Sequence, residues 1–205
     1  MRYQTSLVFI CYNKCSRVDF KPLYLYLMKI LAFGASNSKN SINKKLAAYA
    51  ASFFENADII LIDLNDFEMP IFSVDREAQS GHPEPAKEFV RLLGEADLII
   101  ISLAEHNGSY STAFKNIFDW ASRVNSKTFQ GKPVILMATS PGVRGGKTVL
   151  ETAGTRFSFH DANVVATYSL PEFHKNFTED SGIIQPEYKA SFDQLIAEVK
   201  SKMES

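Results

Sequence analysis

The sequence predicts an α/β fold, a three-layer sandwich with helices on both faces of a five-stranded parallel sheet. Two observations support this prediction. Short runs rich in Ile, Leu and Val alternate with longer segments of helical period through residues 28–205, which is the pattern of repeated βα units. The runs consist mainly of these apolar residues, as expected for parallel strands that are buried on both faces. A chain of 205 residues that is 45% hydrophobic and 22% charged can bury one such core.

The predicted strands and helices alternate along the chain. The strands are residues 29–33, 58–62, 97–103, 134–138 and 163–168. The helices are residues 42–55, 85–94, 111–123, 147–159 and 186–203. In the last helix, the spacing of apolar residues predicts one buried face, formed by Phe192, Leu195, Ile196 and Val199.

The order of the strands follows from the handedness of their connections. Because crossovers between parallel strands are right-handed, few spatial orders are possible for five strands in one sheet. We expect the order 2-1-3-4-5, the flavodoxin-like arrangement. Ligands of such sheets bind outside the carboxyl ends of the strands, where the strand order reverses. The loops after the first, third and fourth strands are therefore the candidate site.

Residues 1–27 differ in character from the rest of the chain. Their apolar run, residues 7–12, is too short to span a bilayer, and no small-residue cleavage site follows it. We expect residues 1–27 to be an extension upstream of a natural start at Met28, and residues 28–205 to form a single domain.

Charge and cysteine content argue against several functions. Lys and Arg total 22 against 23 Asp and Glu, and no basic block gathers on one helix, so we expect no nucleic-acid partner. The two cysteines, Cys11 and Cys15, both lie in the extension, and the four histidines follow no metal or nucleophile pattern. We therefore expect no metal site, no cysteine catalyst and no membrane partner.

The loop after the first strand consists of small and hydroxyl residues that lead directly into a helix, Gly-Ala-Ser-Asn-Ser-Lys-Asn-Ser at residues 34–41. Backbone N–H groups at a helix N-terminus, with Ser and Asn donors beside them, can bind a phosphate. An ordinary turn with Ser41 as the helix N-cap is the alternative. The loop carries neither a dinucleotide fingerprint nor a Walker motif.

The other two loops are also unusual for strand ends. Residues 104–110 are polar, and backbone groups near Asn107 and Gly108 could pair with the edge of a planar heteroaromatic ligand. Residues 139–146 contain three glycines, which let the backbone approach a ligand closely. Taken alone, each loop also fits an ordinary structural role.

Taken together, the three loops resemble those of the NADPH-dependent FMN reductase family, which includes quinone and azo-dye reductases. The family's first loop, G-S-x-R-x-x-S-x-N, is matched at Ser36, Ser41 and Asn43. Its middle motif, P-E-Y-N-x-S followed by L-K-N-x-x-D-W, is matched at Glu105, Asn107, Ser109, Lys115, Asn116, Asp119 and Trp120. Its last loop, S-P-G-x-x-G-G, is matched at Ser140, Pro141, Gly142, Gly145 and Gly146.

The resemblance implies an FMN site in these loops. The residues implied to hold the FMN phosphate are Ser36, Ser38, Ser41, Ile42 and Asn43. Those implied to line the isoalloxazine ring are Glu105, His106, Asn107, Gly108 and Ser109. Those implied to cover its other side are Ser140, Pro141, Gly142, Gly145 and Gly146.

The resemblance also implies an activity and a setting. The enzyme would transfer hydride from NADPH or NADH to FMN and on to a flat acceptor such as a flavin or a quinone, in the cytoplasm. Because the flavin performs the chemistry, no catalytic side chain is expected. A homodimer or homotetramer is implied, and the apolar segment within residues 66–81 would either reach across a partner subunit or cap its own core.

The sequence departs from the family pattern at four positions, where Ala35, Ser38, Ala104 and His106 replace Gly, Arg, Pro and Tyr. Because Ser38 replaces the arginine, a cation that could pair with the FMN phosphate is lost. We therefore expect weaker FMN binding than with the arginine, unless Lys39 supplies the positive charge instead. An imidazole near the ring would make flavin reduction depend on pH around neutrality.

Two other functions fit the same fold. A flavodoxin-type electron carrier would bind FMN but take electrons from partner proteins, and such carriers are usually strongly acidic, whereas this chain has a net charge of −1. A cofactor-free interaction module would require all three loops to be ordinary turns, which their joint match to one family pattern disfavours.

Overall fold

The structure, a computed structural model, describes residues 27–204. The expected extension, residues 1–27, therefore lies outside the described residues except for Leu27. The strands are β1 (Met28–Ala35), β2 (Ala57–Ile62), β3 (Leu98–Leu103), β4 (Glu105–His106), β5 (Ser109–Tyr110), β6 (Pro133–Thr139), β7 (Asn163–Leu170), β8 (Phe177–Thr178) and β9 (Gly182–Ile183). The helices are α1 (Ile42–Ala51), α2 (Val74–Ser80), α3 (Glu84–Glu95), α4 (Thr112–Val124), α5 (Lys147–Ser158), α6 (Phe173–Asn176) and α7 (Pro186–Glu204).

Five parallel strands form the central sheet in the order β2-β1-β3-β6-β7. Counted without the two small hairpins, this is the order 2-1-3-4-5, so the predicted flavodoxin-like fold class is confirmed. The chain leaves β1 in one direction to form β2 and crosses back to place β3 on the other side. The switch point of the strand order thus lies at the carboxyl ends of β1 and β3.

Each face of the sheet has its own apolar core. Leu31 and Phe33 of β1 point into the core under α3, α4 and α5, and the alternate residues Ile30 and Ala32 point into the core under α1 and α7. This period-two alternation lets one mostly apolar strand serve both layers. The predicted face of the last helix is confirmed, because Phe192, Ile196 and Val199 are buried and Leu195 packs beside them.

The predicted boundaries differ from the structure mainly at α1, which ends at Ala51 instead of residue 55. Beyond it, Phe53 and Phe54 donate their N–H groups to the carbonyls three residues earlier, at 3.4 and 3.1 Å. The chain thus tightens into a turn that buries Phe54 in the core. The sequence interpretation also missed the short helices α2 and α6 and the two hairpins, which have too few residues to show a period.

None of the helices between residues 27 and 204 is long and apolar enough to cross a membrane.

Gly34 allows β1 to lie directly against α1. A Cβ on Gly34 would come within 2.7 Å of Lys44 Cα and 2.8 Å of the carbonyl carbon of Asn43, and both are backbone atoms. We expect Gly34→Ala to lower the free energy of unfolding by about 1–3 kcal/mol, because α1 must move away from the sheet.

Gly154 in α5 provides the matched control, because no neighbouring atom lies within 4 Å of a Cβ at this position. Gly154→Ala should raise the free energy of unfolding by about 0.5–1 kcal/mol through helix propensity alone. Urea denaturation of both variants makes the comparison, and effects of the same sign would contradict it.

Candidate functional site

The loop after β1 combines a helix cap with free donor groups. Ser41 is the N-cap of α1, and its Oγ accepts a hydrogen bond from the N–H of Lys44 at 3.1 Å. Ser38 N–H donates to Ser36 Oγ at 3.1 Å, which closes the exposed part of the loop. Among the described residues, no acceptor is found for the backbone N–H groups of Asn37, Lys39 and Asn40. The Ser41 N-cap, predicted as the alternative to a phosphate site, is therefore present. The same loop also keeps backbone N–H groups that could bind a phosphate.

The helices at the switch point lack the acids that helix N-termini usually attract. The first turns of α1, α4 and α5 contain no acidic residue. By contrast, α2, α3 and α7 each carry at least one. Because a helix N-terminus has a partial positive charge, helix ends without an acid in their own first turn suit an anionic ligand.

Asn43 is buried and ties three elements together. Its Nδ2 donates to the carbonyl of Thr139 at 3.2 Å. Its Oδ1 accepts from Ser102 Oγ at 2.7 Å and from Thr139 N–H at 3.1 Å. The side chain thus joins the start of α1 to the ends of β3 and β6, and its amide atoms bond to the protein itself.

Residues 105–110 form a small antiparallel hairpin, β4–β5, in which His106 pairs with Ser109. Its two turn residues, Asn107 and Gly108, have φ of 52° and 74°, as a type I′ turn requires. The Asn-Gly pair is the strongest short-range hairpin signal, so this hairpin is predictable from the sequence although the strand and helix pattern does not show it. His106 and the turn are exposed.

Glu105, the first residue of this hairpin, reaches across to α5. Its half-buried carboxylate accepts a hydrogen bond from Val149 N–H at 3.0 Å. The last residue of the hairpin, Tyr110, lies parallel to Phe157 at 6.1 Å between ring centroids. Burial raises the pKa of Tyr110 to about 12, so its phenol stays neutral near pH 7.

The glycines after β6 serve two purposes. Gly145 and Gly146 have positive φ, and a Cβ at Gly145 would lie 2.8 Å from Pro171 N, while one at Gly146 would lie 2.9 Å from Ala138 Cβ. The protein's own packing therefore requires these two glycines. Gly142 is exposed, and a Cβ there would meet only Ser140 Oγ, at an ordinary contact distance of 3.9 Å, so the protein's own packing does not require a glycine at this position.

Backbone hydrogen bonds hold the exposed part of this loop. The carbonyl of Ser140 accepts from Phe173 N–H at 3.1 Å, and that of Gly142 accepts from Glu172 N–H at 3.0 Å. Pro141 between them is exposed. The segment that follows β7 thus supports the loop from outside the candidate site.

Three hydrogen-bonded links bring the predicted loops together in pairs. Asn43 joins the loop after β1 to the end of β6, and Glu105 joins the hairpin to α5. Ser111, the buried N-cap of α4, donates to the carbonyl of Ala35 at 2.8 Å, which joins α4 to the end of β1. The loops after the first, third and fourth strands of the sheet therefore meet at one edge, as predicted.

An open groove of about 740 Å³ lies beside these loops. It is lined by Asn37, His106 and the first two turns of α4. Side chains from residues 64–71, which follow β2, also line it. The sequence interpretation did not include this fourth segment in the site, because it has no family motif.

The segment after β2 packs against its own chain. Trp120 Nε1 donates to the carbonyl of Pro70 at 2.7 Å, and Asn116 Oδ1 accepts from Phe72 N–H at 2.9 Å. The Phe72 ring meets Trp120 edge to face at 5.0 Å. Of the two roles expected for this segment, the described conformation is the one that caps its own core, although Ile71 is 68% exposed.

An ion pair fixes where this segment begins. Lys44 Nζ lies 2.6 Å from Asp63 Oδ2, and both side chains are partly buried. The hydrogen bond from Lys44 holds the pKa of the Asp63 carboxyl below its usual range. Asp63 also accepts from Asn65 N–H at 2.9 Å, so one carboxylate joins α1 to the turn at the edge of the groove.

Within residues 27–204, no group of three or more His, Cys, Asp or Glu residues could hold a metal ion.

Comparison with known proteins identifies the family. The model of the family described as NADPH-dependent FMN reductase matches residues 28–175. An uncharacterized protein of Mycoplasma pneumoniae is 33% identical over 164 residues, which cover 77% of this chain and 90% of that protein. The quinone reductase of Escherichia coli is 30% identical over 106 residues, covering 52% of this chain and 55% of the reductase.

The fold has solved counterparts. The flavoenzyme NAD(P)H:(acceptor) oxidoreductase FerB from Paracoccus denitrificans has a TM-score of 0.65 at 21% identity, covering 85% of this chain and 98% of FerB. Fold and relatives together define an NAD(P)H-dependent oxidoreductase with a flavodoxin-like sheet. The chain belongs to the NADPH-dependent FMN reductase family, which confirms the resemblance seen in the loop motifs.

Replacing Asn43 tests the buried link between the loops. We expect Asn43→Ala to lower the free energy of unfolding by about 2–4 kcal/mol, because the Thr139 N–H and the Ser102 hydroxyl lose their partner inside the protein. The exposed Asn40, in the same loop, is the control, and Asn40→Ala should change stability by less than about 0.5 kcal/mol. Chemical denaturation measures both, and equal stabilities would contradict the assigned role.

Proposed function

We propose that this protein is an FMN-dependent oxidoreductase that passes electrons from NADPH or NADH to a flat acceptor of the quinone or flavin type. The observation that supports it most is that three loops, linked by hydrogen bonds, meet at the switch point. The helices that follow them carry no acid in their own first turns. The quinone reductase among the relatives supports the acceptor class.

The donors of the first loop fit a phosphate. The backbone N–H groups of Asn37, Lys39 and Asn40 have no acceptor among the described residues, and the hydroxyls of Ser36 and Ser38 lie in the same loop. Ile42 is the first residue of α1, and its N–H adds another donor. The first N–H groups of an α-helix have no acceptor within the helix. The Lys39 ammonium supplies the nearest positive charge along the chain.

Ser41 and Asn43 contribute indirectly in this proposal. Ser41 Oγ already accepts from Lys44 N–H, and the Asn43 amide bonds to Ser102 and Thr139. Both side chains would hold the phosphate loop in place while its backbone groups contact the ligand.

The hairpin and the glycine loop would enclose the ring. The exposed turn at Asn107 and Gly108 offers peptide groups to a ring edge, with His106 and Ser109 beside it. Ser140, Pro141 and Gly142 would cover the other side, because they belong to the accessible part of the glycine loop, which also includes Val143 and Arg144. Gly145 and Gly146 would act through the backbone shape that they permit.

Bound FMN would supply the redox chemistry, accepting hydride from the nicotinamide and delivering electrons to the acceptor. The chain would position both substrates. The groove between α4 and residues 64–71 would admit the acceptor, since it is open to solvent and lined by Phe67, Met69 and Ile71.

We further propose that residues 28–205 act as one FMN-binding domain, in the cytoplasm, within a homodimer or homotetramer. The exposed side chains of Ile71 and Val74, 68% and 70% accessible, support a contact between subunits at this segment. Light scattering of the purified chain measures the oligomeric state, and a monomer would contradict the assembly.

The direct test of the function is spectroscopic. Purified protein is mixed with FMN, freed of unbound flavin, and treated anaerobically with NADH or NADPH. We expect the flavin absorbance to bleach faster than that of free FMN and to return when a quinone is added. Bound flavin that neither nucleotide bleaches would favour an electron carrier, and a protein that retains no flavin would contradict the proposal.

Restoring the family arginine tests the phosphate loop. Ser38→Arg should tighten FMN binding by about tenfold or more, because a charge-assisted hydrogen bond to phosphate contributes on the order of 1.5–3 kcal/mol. Ser201→Arg adds the same charge on exposed α7, near the strand ends opposite the loops, and should leave the affinity unchanged. Fluorescence titration measures the dissociation constants, and similar values for both variants would disprove the loop's role.

A further inference from the structure

Helix α5 begins without a cap of its own. Its N-cap residue is Gly146, which has no side chain to accept a hydrogen bond, and its first turn contains no acidic residue. The other two helices at the switch point, α1 and α4, are capped by Ser41 and Ser111 from their own segments. The beginning of α5 therefore depends on a group from elsewhere.

Glu105 supplies that group from the hairpin. Its carboxylate accepts from the Val149 N–H at 3.0 Å, and Val149 is the third residue of α5. Among the described residues, no other side-chain hydrogen bond joins residues 104–110 to residues 139–150. At the tip of the hairpin, a Cβ on Gly108 would lie 3.8 Å from Thr148 Cγ2, so the two elements also lie near each other there.

This hydrogen bond is favourable for two reasons. A carboxylate accepts a backbone N–H more strongly than a neutral hydroxyl does, and its charge lies at the positive end of the helix. Glu105 is half-buried, so water competes less for the same oxygen atoms than it does on an exposed helix.

We propose that Glu105 is a positioning residue, whose carboxylate sets the spacing between the hairpin and the 140–146 loop on the two sides of the flavin site. This inference rests on the proposed function. The side chain of Glu105 thereby acts on the 140–146 loop through α5. This role is separate from any contact that the backbone of the hairpin makes with the flavin ring.

Two substitutions separate the hydrogen bond from the charge. Glu105→Gln keeps an oxygen that can accept from Val149 N–H but removes the charge, whereas Glu105→Ala removes both. Glu151→Ala is the matched control, because Glu151 is an exposed acid in the same helix with no ion pair among the described residues.

The first readout needs no flavin. In the protein without FMN, we expect the Val149 amide to exchange hydrogen about tenfold faster or more in Glu105→Ala than in the wild type. Glu105→Gln should stay closer to the wild type, and Glu151→Ala should match it. Wild-type exchange at Val149 in Glu105→Ala would overturn the assigned cap.

The second readout is the dissociation constant of FMN by fluorescence titration. We expect binding about tenfold weaker in Glu105→Ala and within about threefold of the wild type in Glu105→Gln. Faster exchange at Val149 with unchanged FMN affinity would overturn the positioning role. If the wild type itself binds no FMN, the proposed function fails along with the flavin site, and the exchange data still decide whether Glu105 caps α5.

Discussion

The buried amide of Asn43 is the contact on which the candidate site depends. A parallel sheet holds its strands together but does not fix the loops that follow them. Without further contacts, each loop could adopt its conformation independently of the others. Asn43 donates to Thr139 and accepts from Ser102 and Thr139, so it joins the start of α1 to the ends of β3 and β6. Because these groups are buried, leaving any of them unpaired costs far more than one exposed hydrogen bond contributes. The shape of the sheet edge is therefore specified by polar contacts inside an otherwise apolar core.

The helices that begin at this edge of the sheet differ from the other long helices in how their N-termini are capped. Helices α1 and α4 are capped by neutral serines, and α5 is capped from the hairpin by Glu105. The other long helices carry acids in their own first turns, as helices without a ligand usually do. Of the three ends at the switch point, those of α1 and α4 thus keep their positive character toward solvent, and the third is compensated by one acid. This pattern fits a ligand whose negative charge lies over the loop after β1.

Much of the fold could be predicted because the strands are long, apolar runs and the connections leave few alternatives. The site loops could be located for the same reason, since strand ends of one sheet share an edge. The roles of individual residues could not, because they depend on partners distant in sequence: Asn43 meets Thr139, and Glu105 meets Val149. Gly145 and Gly146 looked like ligand contacts, yet neighbouring backbone and side chains already require them. Residues 64–71 carry no motif, so their place in the lining of the groove is visible only in the structure.

Residues 64–71 lie apart from the loops proposed to bind the cofactor, so the two proposed functions, cofactor binding and acceptor binding, involve different parts of the chain. The loops proposed to hold the cofactor are linked to the sheet by hydrogen bonds from Asn43, Ser111 and Glu105. The part of the groove formed by residues 64–71 is attached to α4 by Asn116 and Trp120 and takes no part in those hydrogen bonds. Under the proposed function, substitutions at its exposed positions would reshape the groove and leave the three loops in place. Such a protein would acquire new electron acceptors during evolution by changing one short stretch of chain, without changing the loops proposed to hold its cofactor.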